Sequence, residues 1–233
     1  MGSGHEHIAI ATIERANIGP EMQEYLKSTA TIDCSTPSTR EKAQLLIKGM
    51  EEPEERAKSL FYFVRDKIKY VMYSPCFLRE DYRASVVLER GSGFCVQKAV
   101  LLAALARAIG IPARLGFSDI RIHGIPKELQ EQMGSNLFVY HGHTELYIRG
   151  EWVKAVTAFD LETCHQNRFI PVEFDGVNHA MDHSHDLDGR LHVEYVHDHG
   201  YREDVPLDEI LNGWYRAYGA KRVEAVKKRV GES

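Results

Sequence analysis

The chain is poor in the residues that build covalent or metal scaffolds. It has only 4 cysteines among 233 residues, at positions 34, 76, 95 and 164, and no two are close enough to form a Cys-x-x-Cys pair. That excludes a small disulfide-stapled fold and a zinc knuckle. There is no excess of positive charge: 29 Lys+Arg stand against 34 Asp+Glu, a net charge of -5. Nothing global therefore attracts nucleic acid. No apolar run approaches the about 18 residues that a membrane span needs. The N-terminus lacks a basic stretch followed by an apolar one, so no secretion signal is read, and Glu6 stands where a myristoylation signal wants Ser or Thr. A cytoplasmic protein with reduced thiols is the expectation.

What is present is a change of hydrophobic period along the chain. Helical signals come first. Pro37, Ser38 and Glu41 precede Ala43, Leu45, Leu46 and Met50 in capping-box spacing. From Pro53, the apolar positions Ala57, Leu60, Phe61, Val64 and Ile68 recur on one helical face. The stretch from Cys95 to Ile109 is apolar around most of its circumference, which predicts a buried central helix stopped by Gly110 and Pro112. Period-two segments follow at 113–122, 136–148 and 151–159, the last two joined at Arg149 and Gly150 as a hairpin. Helices followed by an antiparallel sheet give an α+β fold with the buried helix lying on the sheet. A strand near 192–196, a helix after Pro206 and a basic surface helix at 216–233 complete the reading. The chain divides into an N-terminal segment (1–30), a main domain (31–215) and that last helix.

Cys95 differs from the other three cysteines by its setting. Gly91 and Gly93 precede it, and it opens the buried helix. A first-turn cysteine sees unpaired N–H groups and the positive end of the helix dipole, both of which favour the thiolate. A nucleophilic cysteine needs a base, and the base needs orienting. His141 and His143 share one face of a predicted strand, and positions 156, 158 and 160 share a face of its hairpin partner. Cys95, one of these histidines and Asp160 would form a Cys-His-Asp set.

The segments Gly91–Cys95, Lys98–Ala99, Ala106–Arg114, His141–Tyr147 and Gly150–Ala155 together resemble the transglutaminase-like superfamily in its bacterial and archaeal branch. Leu60–Tyr70 resembles the helix common upstream of the nucleophile. The matched blocks run from about 31 to 175, and a later pattern extends to about 210. The resemblance implies a papain-like or transglutaminase-like core, with Cys95 as nucleophile and His141, four residues before Glu145, as base. The usual pattern Trp-Val-x-x-Asp would put the carboxylate at position 156, where this chain has Val156, so Asp160 is taken instead. The implied chemistry is acyl transfer or hydrolysis at an amide or peptide bond through a thioester. The Cys95 N–H would be one oxyanion donor, with a second from 70–83, which contains Tyr73, Phe77 and Tyr82. Val96 replaces the Trp that follows the nucleophile in animal crosslinking enzymes, and no calcium loop is present. Hydrolysis is therefore ranked above transamidation. The implied partner is a peptide, protein or small amide, with no cofactor, metal, nucleic acid or membrane.

Other readings stay open. The domain could be a non-catalytic transglutaminase-like binding module. It could share the Cys-His-Asp layout of arylamine acetyltransferases and use acetyl-CoA. It could also be a metal-dependent hydrolase using His183, His185, His197 and His199 with Asp182, Asp186 and Asp188, although no dependable ligand spacing results.

Overall fold

The computed structural model describes residues 19–125, 130–131 and 133–231. The expectation for Glu6 lies outside these residues. The helices are α1 (Pro37–Leu46), α2 (Pro53–Lys67), α3 (Ala84–Arg90), α4 (Cys95–Ala108), α5 (Leu161–Asn167), α6 (Leu207–Tyr218) and α7 (Ala220–Gly231). The strands are β1 (Lys69–Tyr70), β2 (Ser92–Gly93), β3 (Ala113–Ile122), β4 (Leu137–Ile148), β5 (Glu151–Ala155) and β6 (Val193–Arg202). β3 to β6 form one antiparallel sheet in the order β5-β4-β3-β6, and β1 pairs with β2 in parallel.

The fold is α+β, as the order of periods implies. α4 lies between α1, α2 and α3 on one side and β3 and β4 on the other. Every residue from Val96 to Arg107 is buried, which is why that segment carries no polar face. Its polar exceptions are all engaged. Lys98 Nζ donates to the carbonyls of Arg65 (3.1 Å) and Ile68 (2.7 Å) at the end of α2. Those carbonyls lack helical donors of their own, so the lysine caps a helix from outside it. Arg107 donates to the carbonyls of Ala113, Lys27 and Glu203, tying three separate segments together. Gly110, at φ +90°, lets the chain turn back so that Ile111 N–H reaches Ala106 O at 3.0 Å.

Four boundaries differ from the sequence reading, one being β6, which runs on to Arg202 instead of ending at 196. α1 begins at Pro37, with Thr36 rather than Ser38 in the N-cap position, because Pro37 suits the first helical turn and needs no acceptor there. β5 ends at Ala155 instead of running to 159: the Val156 N–H turns to Ala180 O (2.8 Å), and the Ala180 N–H returns to Lys154 O (2.8 Å). The segment around Ala180 thereby lies parallel to β5 at the sheet edge. The break between the two expected C-terminal helices falls at Gly219, whose φ is +80°, so the last helix begins at Ala220 rather than 216.

Candidate active site

Cys95 is the first residue of α4, where its own N–H has no acceptor within the helix. The loop before it is fixed by backbone. Lys69 N–H donates to Gly91 O and Val71 N–H to Gly93 O, both at 3.0 Å. Gly91 ends α3 in the left-handed region at φ +67°. Gln97 accepts from Phe94 N–H (3.3 Å) and donates to the carbonyls of Pro75 (2.6 Å) and Asp81 (3.0 Å). The glycines and Gln97 thus hold the loop before Cys95 in place.

β4 passes close to this helix start. A Cβ on Gly142 would stand 2.9 Å from Val96 Cα, so only glycine allows the approach. The approach sets His141 against Cys95. The residue before it, Tyr140, has φ +57°, an uncommon conformation for a large side chain. Its N–H donates to Asp119 Oδ1 (3.0 Å), and its ring stacks on His199 at 4.1 Å. His199 Nε2 lies 2.7 Å from the same Asp119 oxygen. The neighbouring Val139 N–H donates to Tyr218 Oη (2.9 Å). β3, β6 and α6 all contribute to pinning the bend that aims His141.

His141 Nε2 lies 3.3 Å from Asp182 Oδ2, and their side chains are only 5% and 2% exposed. Nε2 makes no hydrogen bond of regular geometry, and the Asp182 carboxylate is the charge it faces. Nδ1 is left for the thiol. Tyr195 Oη donates to the same Asp182 oxygen at 3.1 Å. Asp182 arrives because Ala180, two residues earlier, is paired to β5.

The electrostatics follow from this arrangement. Burial alone would push the Cys95 thiol up. The charge and hydrogen bond of His141, with the N–H groups of Gly142 and Val96, outweigh burial and hold it below its ordinary value. Burial likewise works against the His141 cation, but the Cys95 thiolate and Asp182 raise it to about 10. The other cysteines move the opposite way. Burial lifts Cys34, and takes Cys76 to about 12 and Cys164 to about 11.

Asp160 does not sit beside His141. One of its oxygens caps α5 through Thr163 N–H (2.7 Å), and the other accepts from Tyr70 N–H (2.6 Å). The parity rule that selected it fails because β5 stops five residues earlier, at Ala155. The carboxylate facing His141 is Asp182, which the sequence offered only as one acid in a His-rich run. Nothing local distinguishes it from Asp186 and Asp188, whose carboxylates are bound by Arg190, with Arg168 also on Asp188. His143 lies on the same strand face but is turned to Glu145, 3.5 Å from Oε1, with its ring over Gly116. Burial lowers its pKa. Glu145 is held to about 2: burial opposes this, and His143 and the 2.6 Å contact from Arg114 overcome it.

Cys95 and His141 open onto a cavity of about 570 Å³ walled by aromatic rings, among them Tyr70, Tyr73, Phe77, Phe159 and Trp214. One face of α7 forms its far side, so the C-terminal helix is part of the site. Among the described residues, no group of three or more His, Cys, Asp or Glu side chains is arranged to hold a metal ion. No helix among them is long and apolar enough to cross a membrane.

Comparison with known proteins bears on the family and the fold. The family model of the transglutaminase-like superfamily matches residues 40–156, half of the chain. A candidate cysteine protease from Cytophaga hutchinsonii has a similar fold, with a TM-score of 0.51 at 16% identity over 81% of this chain and 49% of that one. The periplasmic domain of TgpA from Pseudomonas aeruginosa aligns at 22% identity over 60% of this chain and 48% of its own, with a TM-score of 0.43. A candidate protease from Parabacteroides distasonis ATCC 8503 aligns at 13% identity over 64% and 26%, with a TM-score of 0.37. The chain spans about half the length of the Cytophaga structure. Comparison with curated proteins gives no match. With the helix-opening cysteine, the histidine strand and strands β3 to β5 all inside the matched region, the chain belongs to the transglutaminase-like superfamily.

Proposed function

We propose that the protein is a cysteine hydrolase that cleaves an amide or peptide bond through a thioester acyl-enzyme. The observation that carries this reading is the Cys95–His141 pair: a thiol held low and an imidazole held high at the wall of an open cavity. Cys95 thiolate attacks the carbonyl carbon. The negative charge that develops on oxygen is met by the Cys95 N–H, which has no helical acceptor. The Tyr70 hydroxyl is the second donor. It borders the cavity, and burial together with the Cys95 charge keeps it protonated far above neutral pH. Collapse of the tetrahedral adduct breaks the C–N bond, and His141 gives its proton to the leaving amine. Water then attacks the thioester, with neutral His141 taking a proton from it. Asp182 orients the ring through Nε2 and stabilises its charged form, with Tyr195 holding the carboxylate.

The test is incubation with N-acyl peptide amides, read by intact mass and by product analysis, with and without added amine. A transient adduct on Cys95 and a free acid product support hydrolysis. Transfer to the amine in preference to water would make the protein a transamidase. Turnover that persists in Cys95→Ala would remove the thiol mechanism.

A further inference from the structure

The cavity in front of Cys95 has a polarity that the acyl-transfer chemistry does not require. Its walls are largely aromatic and aliphatic, and among the described residues no Asp or Glu lines it. Apart from His141, its basic lining residues among the described residues are Lys221, Arg222 and Arg229, all on α7. Arg222, Val226 and Arg229 recur at helical spacing, so one face of that helix looks inward. α7 carries Lys221, Arg222, Lys227, Lys228 and Arg229 against the single acid Glu224, in a chain whose net charge is -5. Glu224 is turned to Tyr215 Oη (2.5 Å) on α6. The Arg229 guanidinium lies 4.1 Å over the Tyr73 ring, which puts a cation directly against the aromatic wall. Local positive charge beside an apolar chamber, on a chain that is acidic overall, selects ligands by sign as well as by shape.

We infer that the substrate's acyl portion combines an apolar, aromatic-sized body with a carboxylate, the body seated among the cavity rings and the carboxylate met by Lys221 and Arg222 of α7. This rests on the acyl-transfer reading and names its substrate class. Neutral or cationic acyl groups of the same size would fill the chamber but offer no carboxylate to Lys221 and Arg222.

Two affinity reagents test this without needing turnover: succinyl-phenylalanine chloromethyl ketone and acetyl-phenylalanine chloromethyl ketone. In both, Cys95 thiolate displaces chloride and forms a C–S bond, and intact mass gives the rate. The anionic reagent is expected to label Cys95 about tenfold faster at low ionic strength, a ratio that shrinks as salt screens the charges. The ratio should fall to near one in Lys221→Glu/Arg222→Glu, where both positions are exposed. The salt dependence in the unaltered protein carries the test if that variant does not fold. Equal rates for the two reagents overturn the inference while leaving the acyl-transfer reading intact. Failure of both to label Cys95 overturns that reading, and the inference with it.

Discussion

Asp182 and His141 face each other at 3.3 Å although they come from different parts of the chain, one from a strand centre and the other from an edge segment. The pairing divides two carboxylates that sequence patterns do not separate. Asp182→Asn is expected to slow acyl-enzyme formation about a hundred- to ten-thousand-fold, as loss of an orienting carboxylate does, with little change in urea midpoint. Asp160→Asn is expected to do the reverse, costing about 1–2 kcal/mol of stability through the α5 cap and the Tyr70 tie while the chemical step survives. Single-turnover rates and urea melts on both variants check this. The opposite ranking would return the orienting role to Asp160.

Cys95 should react with iodoacetamide at neutral pH well before Cys34, Cys76 or Cys164. It is the only one of the four that is not buried, and the only one whose thiol is held low. Peptide mapping after a short exposure reads the order directly. Comparable labelling of any second cysteine would contradict it.

The ion pair predicts a pH window. His141 has a raised pKa, so its charged form is present below about 10 and is lost as pH rises through that value. Cys95 has a lowered pKa, so its thiolate persists below the ordinary thiol range and is lost only as pH falls further. The alkylation rate should therefore stay high well into the acid side of the usual thiol titration. Removing the negative charge in Asp182→Asn lowers the His141 pKa and weakens its support of the thiolate. The window should narrow from both sides, and unchanged limbs would mean that Asp182 does not act on the pair.

Gly142→Ala isolates the approach of strand to helix. The new methyl would lie 2.9 Å from Val96 Cα, and backbone cannot yield as a side-chain end can. β4 must move away from α4, which separates His141 from Cys95. The expected result is a loss of about tenfold or more in rate for a displacement near 1 Å, with the Cys95 pKa rising towards its ordinary value. A variant that melts normally yet keeps full thiolate character would show that the close approach is dispensable.

Lys98→Met removes the external cap of α2. Two carbonyls lose their donor, and stability should fall by about 1–3 kcal/mol. Burial already lowers the Lys98 pKa to about 7, with Asp160 and Asp66 partly opposing this. Denaturant unfolding near neutral pH measures the loss, and an unchanged midpoint would show that water satisfies those carbonyls.

Much of the helical half was legible from hydrophobic period alone. α2 begins at Pro53, and α4 begins at Cys95 because an all-round apolar stretch has to be central. β3 spans the predicted 113–122. β5 was overextended because alternation cannot tell a strand from a segment that keeps the pattern while its backbone leaves the sheet. Tyr140 offers no local cue either: its left-handed conformation is held by Asp119, His199 and Gly213, each distant in sequence.

The sequence by itself singled out Cys95 and the histidine strand that faces it, because a helix start and a two-residue alternation are local properties. It also determined the family, through blocks that lie between residues 40 and 156. Only the tertiary structure decided which carboxylate reaches His141 and what closes the cavity. Both depend on pairings between distant segments: Ala180 laid against β5, and α7 folded back across the mouth of Cys95. Contacts of that kind leave no periodic trace in the chain, since their partners are chosen by packing rather than by spacing.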